Sequence, residues 1–452
     1  MKPIQVLNGD TIAAPCTPPG RGGVGIVRVS GSLARSFAEK IVGFSPTPRY
    51  AHYADFLDCL SDTLEIIDKG LVLYFPNPHS FTGEDVVEFQ GHGGPLVLDA
   101  LLSILLKLGA RLAEPGEFSL RAYLNGKIDL LQAEAIADLI DASSEAAQKG
   151  ALASLQGAFS VQVNALNKQV VQLRVFVEAA LDFPEEEIDF LSDARIIEQL
   201  EAIEKTLKLI FEQAKQGCIL QEGKTVVILG APNVGKSSLF NKLAGKDLAI
   251  VTHIPGTTRD IIKTHLNIDG FPLYVMDTAG IRDAQDEVEI EGIKRAQSAL
   301  VSADLVLYLQ DASNLTVDNS AIDALLVPYQ NKIIYIMNKI DLHAQGPAII
   351  ENTVYISVTE NQGLDLLKQH LKKKMGIQEG SSIFSARRRH LVALEAAQHH
   401  LWTGKDQLLR YKAGELLAQE LRLVSSALET LTGEFTTEDL LGEIFSSFCI
   451  GK

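Results

Sequence analysis

The chain has 452 residues, with 41 Lys and Arg against 57 Asp and Glu, and a formal net charge of −16 at pH 7. At roughly 100–200 residues per domain the length predicts two to four domains, and a composition that is 46% hydrophobic and 22% charged excludes a chain disordered throughout. The acidity excludes broad electrostatic coating of nucleic acid, which needs clustered Lys and Arg, and leaves only a local basic patch open.

The start, MKPIQVLNGDTIAAPC, has no long apolar segment behind a basic end, so no secretory signal is expected. Over residues 1–118, GVGIVRVSG and GLVLYFP read as strands and PLVLDALLSILLKLG as a helix, which predicts an α+β N-terminal domain. Half of the 16 prolines precede residue 80, whereas 116–216 contains only Pro184 and 348–452 contains none. Both tracts are rich in good helix formers. Leu131, Ala135, Ile136, Leu139 and Ile140, then Ile196, Ile197, Leu200, Ile203 and Leu207, recur at helical spacing, as do Leu391, Leu394, Leu401 and Leu408 in the tail. Between the tracts, TVVILG, LYVMDTAG, ADLVLYLQDAS, KIIYIMNKID and TVYISV alternate with helical segments, the pattern of an α/β domain with a mainly parallel sheet. Amphipathic tracts on either side of an α/β segment predict one all-α helical bundle, 119–216 plus 381–452, with the α/β domain 217–380 inserted. The four cysteines, Cys16, Cys59, Cys218 and Cys449, are too few and too scattered for a disulfide framework or a CxxC metal motif, which predicts a reducing cytoplasm. No apolar run reaches the ~18 residues of a membrane span, so no membrane partner is expected.

The strongest motif is Gly230-Ala-Pro-Asn-Val-Gly235-Lys236-Ser237, between the strand TVVIL and the helix SSLFNKLAG. Glycines let backbone N–H groups and the helix N-terminus wrap phosphates. Lys236 is placed to neutralise β/γ-phosphate charge, and the Ser237 hydroxyl to hold Mg²⁺. Asn233, Val234, Gly235 and Ser238 complete the phosphate-binding set. Asp277, Thr278, Ala279 and Gly280 follow a second strand, where a carboxylate near Mg²⁺ and a γ-phosphate-sensing N–H are needed. In Asn338-Lys339-Ile340-Asp341, the Asp341 carboxylate can accept the N1–H and the exocyclic amine of guanine, donors that adenine lacks; a buried Asp341 left unpaired makes the discrimination strong. Ser357-Val358 stands at the last base-contacting loop, and Thr257, Thr258 and Arg259 lie where a Mg²⁺-ligating threonine is expected. These pieces predict an α/β P-loop GTPase domain of Ras-like order. Ile281 occupies the position where many GTPases orient the attacking water with Gln, and its side chain cannot hydrogen-bond. Glu289 is the candidate replacement, and a merely solvated acidic loop is the alternative. For positive charge at the transition state, both Arg282 and a bound cation remain open.

The text ATPPGRGGVGIVRVSG-like at 13–31, SFTGEDVVEFQGHGG at 80–94, PGEFSLRAYLNGKIDL at 115–130, the GTPase motifs and the terminal FSSFCIGK at 445–452 resemble, nearly end to end, the bacterial tRNA-modification GTPase family called TrmE or MnmE. The resemblance implies a homodimer joined through N-terminal domains and G domains that meet on GTP binding. It also implies an FAD-dependent MnmG/GidA-type partner forming a heterotetramer, and a tRNA whose wobble uridine gains an aminomethyl-type group with a reduced folate supplying the carbon. It implies K⁺-stimulated hydrolysis, the cation held by Asn233, Thr252, Ile254 and Thr257, with Glu289 orienting water and Arg282 unused. The family's folate positions fall on Arg28, Glu88, Lys127 and Lys452. Cys449 is open to a catalytic thiol or to packing. The basic runs KQHLKKKMG (368–376) and ARRRH (386–390) are open to tRNA phosphate or to a solvated helix face. Two functional classes follow: an enzyme whose GTP hydrolysis drives tRNA modification, and a regulatory GTP-binding switch whose hydrolysis is only a timer.

Overall fold

The computed structural model describes residues 9–61, 65–182, 194–244, 263–268, 270–276, 297–314, 320–342, 345–377, 384–434 and 438–451. By internal contact the chain divides into two compact units, Met1–Ala137 with Ser425–Lys452, and Asp138–Val424.

In the first unit, strands β1 (Ile12–Pro15), β2 (Gly22–Ser30), β3 (His52–Leu57), β4 (Ile66–Phe75), β5 (Val86–Gly93) and β6 (Arg111–Leu112) form one sheet in the order β3-β4-β5-β2-β1-β6. Pairing is antiparallel except for β1 with β6. Strand residues alternate between faces, so Val27 and Val29 enter the core with Val72, Phe89 and Phe56, under the helices Ala34–Val42 and Pro95–Lys107. Arg28 falls on the other face, in register with Glu88. The chain end is woven into this unit. Phe445 and Phe448 are buried with Leu120, Leu130 and Ala133, the Gly116 N–H donates to the Cys449 carbonyl at 3.3 Å, and Pro115 bridges to Ile450. Gly451, at φ 95°, lies so close to β1 that a β-carbon would sit 2.2 Å from the Pro15 carbonyl oxygen, so only glycine fits there.

A charged cluster fastens the same unit. Arg121 is 2% exposed and pairs with Asp10, with Glu84 at 3.1 Å and with Glu117 at 3.0 Å; Arg111 also binds Asp10 and Glu117. Burial works against the Asp10 carboxylate, but hydrogen bonds from Arg111 and Arg121 outweigh it and hold its pKa below the ordinary value. Its contribution to stability is therefore present at neutral pH and is lost as pH falls below the ordinary aspartate value of about 3.9. Replacing Arg121 by Met leaves Glu117 buried with one cation fewer. A loss of about 3–5 kcal/mol is expected, visible in calorimetry as a drop on the order of 10 °C in this unit's midpoint. An unchanged midpoint would show that the cluster does not hold the unit together.

The second unit combines helices with the second sheet. The helices Glu145–Leu155, Ala158–Asp182, Ala194–Glu222 and Arg388–Tyr411 bury Phe159, Leu173, Leu200, Leu207, Leu394 and Leu401. Ala194–Glu222, which precedes the sheet, packs on Arg388–Tyr411, which follows it. The return segment is gripped by this core: Phe384 stacks on Phe159 at 4.2 Å, and Ser385 and Arg387 bind Asp138. Strands β7 (Lys224–Gly230), β8 (Lys263–Ile268), β9 (Phe271–Met276), β10 (Leu305–Asp311), β11 (Ile333–Asn338), β12 (Ala348–Ile350) and β13 (Thr353–Tyr355) are ordered β12-β13-β11-β10-β7-β9-β8. The five inner strands run parallel and the two edges antiparallel. Val226 and Ile228 join one core, with the helices Lys236–Ala244 and Leu364–Lys374; Val227 and Leu229 join the core on the other face. Helices on both faces of a parallel sheet are the expected α/β architecture. The chain thus has an α+β N-terminal region, a helical region and an α/β region with a mainly parallel sheet.

Candidate nucleotide site

In an open parallel sheet, ligands bind beyond the carboxyl ends of the strands. Here β7 ends at Gly230, β10 at Asp311, β11 at Asn338 and β13 at Tyr355, and the loops after all four carry the predicted residues or touch them. The loop after β7 turns on Asn233, at φ 62°, a left-handed conformation that asparagine tolerates. At Gly235, φ is 101° and a β-carbon would lie 2.4 Å from Asn338 Nδ2, so the second motif glycine is required by its neighbour as well as by its backbone. Lys236 opens the helix Lys236–Ala244, and its Nζ donates to the Gly230 and Ala231 carbonyls, both at 2.7 Å. Burial pushes its pKa down, and a bound anion would offset that by stabilising the ammonium. Ser237 and Ser238 follow, exposed, in the first turn, where the N–H groups of the helix N-terminus are available to a phosphate and a hydroxyl oxygen is available to a hard cation.

The base-recognition half is built from β11 and β13. Asn338 is 3% exposed; its Nδ2 donates to the Val234 carbonyl at 2.8 Å and its Oδ1 accepts the Val358 N–H at 3.1 Å. Its side chain is therefore a strut joining the phosphate loop to the last loop. Lys339, at φ 66°, reaches Asp311 Oδ2 at 2.6 Å. Burial raises the Asp311 pKa, but hydrogen bonds from Lys339 and Ser313 outweigh it and hold the carboxyl below its usual range. The buried Ser357 hydroxyl donates to Asp341 and accepts the Glu360 N–H at 3.1 Å. Asp341 itself is exposed, whereas the discrimination argument from sequence takes it as buried; it stands in the short turn Ile340–Leu342, past the end of the sheet. Orientation by Ser357, rather than burial, sets that carboxylate. Asp311 was not singled out from the sequence. The signal available was its position after the apolar run LVLYLQ, at the end of an inner strand.

Thr252, Ile254, Thr257, Thr258, Asp277, Thr278, Ala279, Gly280 and Glu289 lie outside the described residues, as does Lys452. In the first unit, Arg28 pairs with Glu88 at 2.9 Å and stacks over the rings of Phe81 and Phe118 at 5.6 and 5.5 Å. Lys127 donates to the Pro78 carbonyl at 2.9 Å. Cys449 is exposed, so it is not core packing. Cys16, near Arg28 and Glu88, has its thiol pushed up to about 11 by burial. Among the described residues no helix is long and apolar enough to cross a membrane.

A family model described as the MnmE helical domain matches residues 130–449, and one described as the GTP-binding protein TrmE N-terminus matches residues 11–127. Over 454 residues the chain is 55% identical to the tRNA modification GTPase MnmE of Hydrogenovibrio crunogenus, covering 99% of this chain and 100% of that one. Against the protein of the same description from Stutzerimonas stutzeri the identity is 54% over 455 residues, covering 98% and 99%.

Proposed function

The chain belongs to the family of the tRNA modification GTPase MnmE, and from that premise we propose that it hydrolyses GTP to drive modification of a tRNA wobble uridine. The tRNA part of the reading rests on the family, and the nucleotide part on one observation: the Asn338 side chain ties the phosphate loop at Val234 to the loop carrying Ser357, which in turn orients Asp341. Phosphate and base recognition are thereby set at a fixed separation. In this reading Lys236 carries phosphate charge, Ser237 and Thr258 hold Mg²⁺, and Asp341 reads guanine.

The finer steps are part of the same proposal. K⁺ is the transition-state cation, held by Asn233 and by backbone groups of Thr252, Ile254 and Thr257, and Glu289 orients the attacking water. The exposure of Asn233, at a left-handed turn in the phosphate loop, supports this, since an amide oxygen is a suitable cation ligand. A reduced folate is taken by Arg28, Glu88, Lys127 and Lys452. The Arg28–Glu88 pair between two phenyl rings supports a flat, amine-bearing ring system there, because a carboxylate and an aromatic face complement a pterin. The chain is a cytoplasmic homodimer joined through its N-terminal domain (1–118). Its helical domain (119–216 plus 381–452) carries the G domain (217–380). An FAD flavoprotein of the MnmG/GidA type completes a heterotetramer that builds the carboxymethylaminomethyl or aminomethyl group at C5 of the uridine.

The test of the cation and the water-orienting group is GTP turnover in K⁺ against Na⁺ at equal ionic strength. Turnover is expected to be faster in K⁺, and Asn233→Ala or Glu289→Ala to lose at least about tenfold. Equal rates in the two salts would exclude the cation.

A further inference from the structure

The two basic runs, 368–376 and 386–390, end on the same feature of the fold. The helix Leu364–Lys374 carries Lys372, Lys373 and Lys374 in its last turn. Just beyond it, the Gly376 carbonyl accepts the Gln216 Nε2–H at 2.6 Å. The Arg388 N–H, at the start of Arg388–Tyr411, donates to Glu222 Oε1 at 3.3 Å. Gln216 and Glu222 belong to the last turns of Ala194–Glu222, a rise of about 9 Å apart. One helix end therefore gathers lysines from one segment and arginines from another. Lys373, Lys374 and Arg388 are exposed. The acidic groups at this junction are engaged: Glu222 takes the Arg388 N–H, and Asp304 pairs with Lys224 at 3.0 Å. The protonated form of His370, one turn back, is disfavoured by burial and then by Lys374 and Lys373.

A lysine at a helix C-terminus offsets the macrodipole, but that role needs one cation, and Lys373 and Lys374 are both exposed in the last turn. The gathered side chains are lysine ammoniums and an arginine guanidinium, and both kinds of cation bind phosphate oxygens well. In a chain of net charge −16, a polyanion can bind only where cations are concentrated locally. We propose that this junction is a docking surface for RNA phosphates. The inference rests on the tRNA-modification reading and adds to it where the substrate's backbone is held.

The test measures affinity for an unmodified tRNA transcript by fluorescence anisotropy across a salt series, using the full chain. The variant carries Lys373→Gln, Lys374→Gln and Arg388→Gln; the control carries Lys168→Gln, on the exposed side of Ala158–Asp182. The triple variant is expected to bind about tenfold or more weakly, with a salt slope shallower by about 2–3, near the ~0.7–0.9 expected per phosphate contact. GTP turnover without tRNA should be unchanged in both. Equal affinity and equal slope in variant and wild type would overturn the inference. So would unchanged tRNA binding with lost flavoprotein binding, which would make the surface a protein interface. A wild-type chain that supports uridine modification yet has no tRNA affinity of its own overturns this inference alone. One that neither binds nor supports modification removes the reading beneath it.

Discussion

Replacing Asp341 by Asn is expected to lower GTP affinity about 10²–10⁴-fold, since two hydrogen bonds to a charged acceptor are each worth about 1.5–3 kcal/mol. The carboxylate offers only acceptors to the two guanine donors; an amide turns one acceptor into a donor and sets it against another donor. Xanthine carries a carbonyl where guanine carries its amine, so the Asp341→Asn variant should recover binding of xanthosine triphosphate. That rescue separates lost recognition from lost folding. Ser357→Ala should show the same trend more weakly, because the Ser357 hydroxyl orients the Asp341 carboxylate. If Asp341→Asn bound GTP as well as the wild type in an equilibrium titration, the base-recognition role of this turn would be wrong. The exposure of Asp341 makes the rescue more informative, since a surface carboxylate costs little to replace and its removal should leave the strut at Asn338 intact.

The parts of the fold legible in the sequence are those with strong local chemistry. The inner strands TVVILG, LVLYLQ and KIIYIM are continuous apolar runs because both faces of a parallel strand are covered, and the helices Pro95–Lys107 and Ala194–Glu222 announce themselves by period. The phosphate loop is legible because its glycines answer to backbone geometry that few other residues can adopt. Strands β8 and β12 are antiparallel edges that the sequence does not announce: β12 has only three residues, and β8, KTHLNI, carries only two aliphatic residues. The charged cluster around Arg121 was illegible for a different reason: its members come from 10, 84, 111, 117 and 121, and nothing local marks charges that meet only after folding. Asn338 shows the limit of motif reading. Its place in the nucleotide set is legible, but its side chain spends its hydrogen bonds on Val234 and Val358, a role that needs the tertiary structure to see.

GTP hydrolysis as the driver of tRNA modification is tested most directly by a reconstituted reaction containing this chain, the flavoprotein partner, tRNA, a reduced folate and GTP, with one component withheld at a time. The modified wobble nucleoside, read by mass spectrometry after digestion, is expected only in the complete mixture. Phosphoryl transfer through a positioned phosphate loop is an event that a non-hydrolysable analogue cannot complete, so the analogue should support binding without sustained product. The Asp341→Asn variant should form product with xanthosine triphosphate and not with GTP, tying the nucleotide requirement to this site. Product formed at the full rate without GTP, or with the non-hydrolysable analogue through many turnovers, would contradict hydrolysis as the driver and leave the nucleotide as a switch.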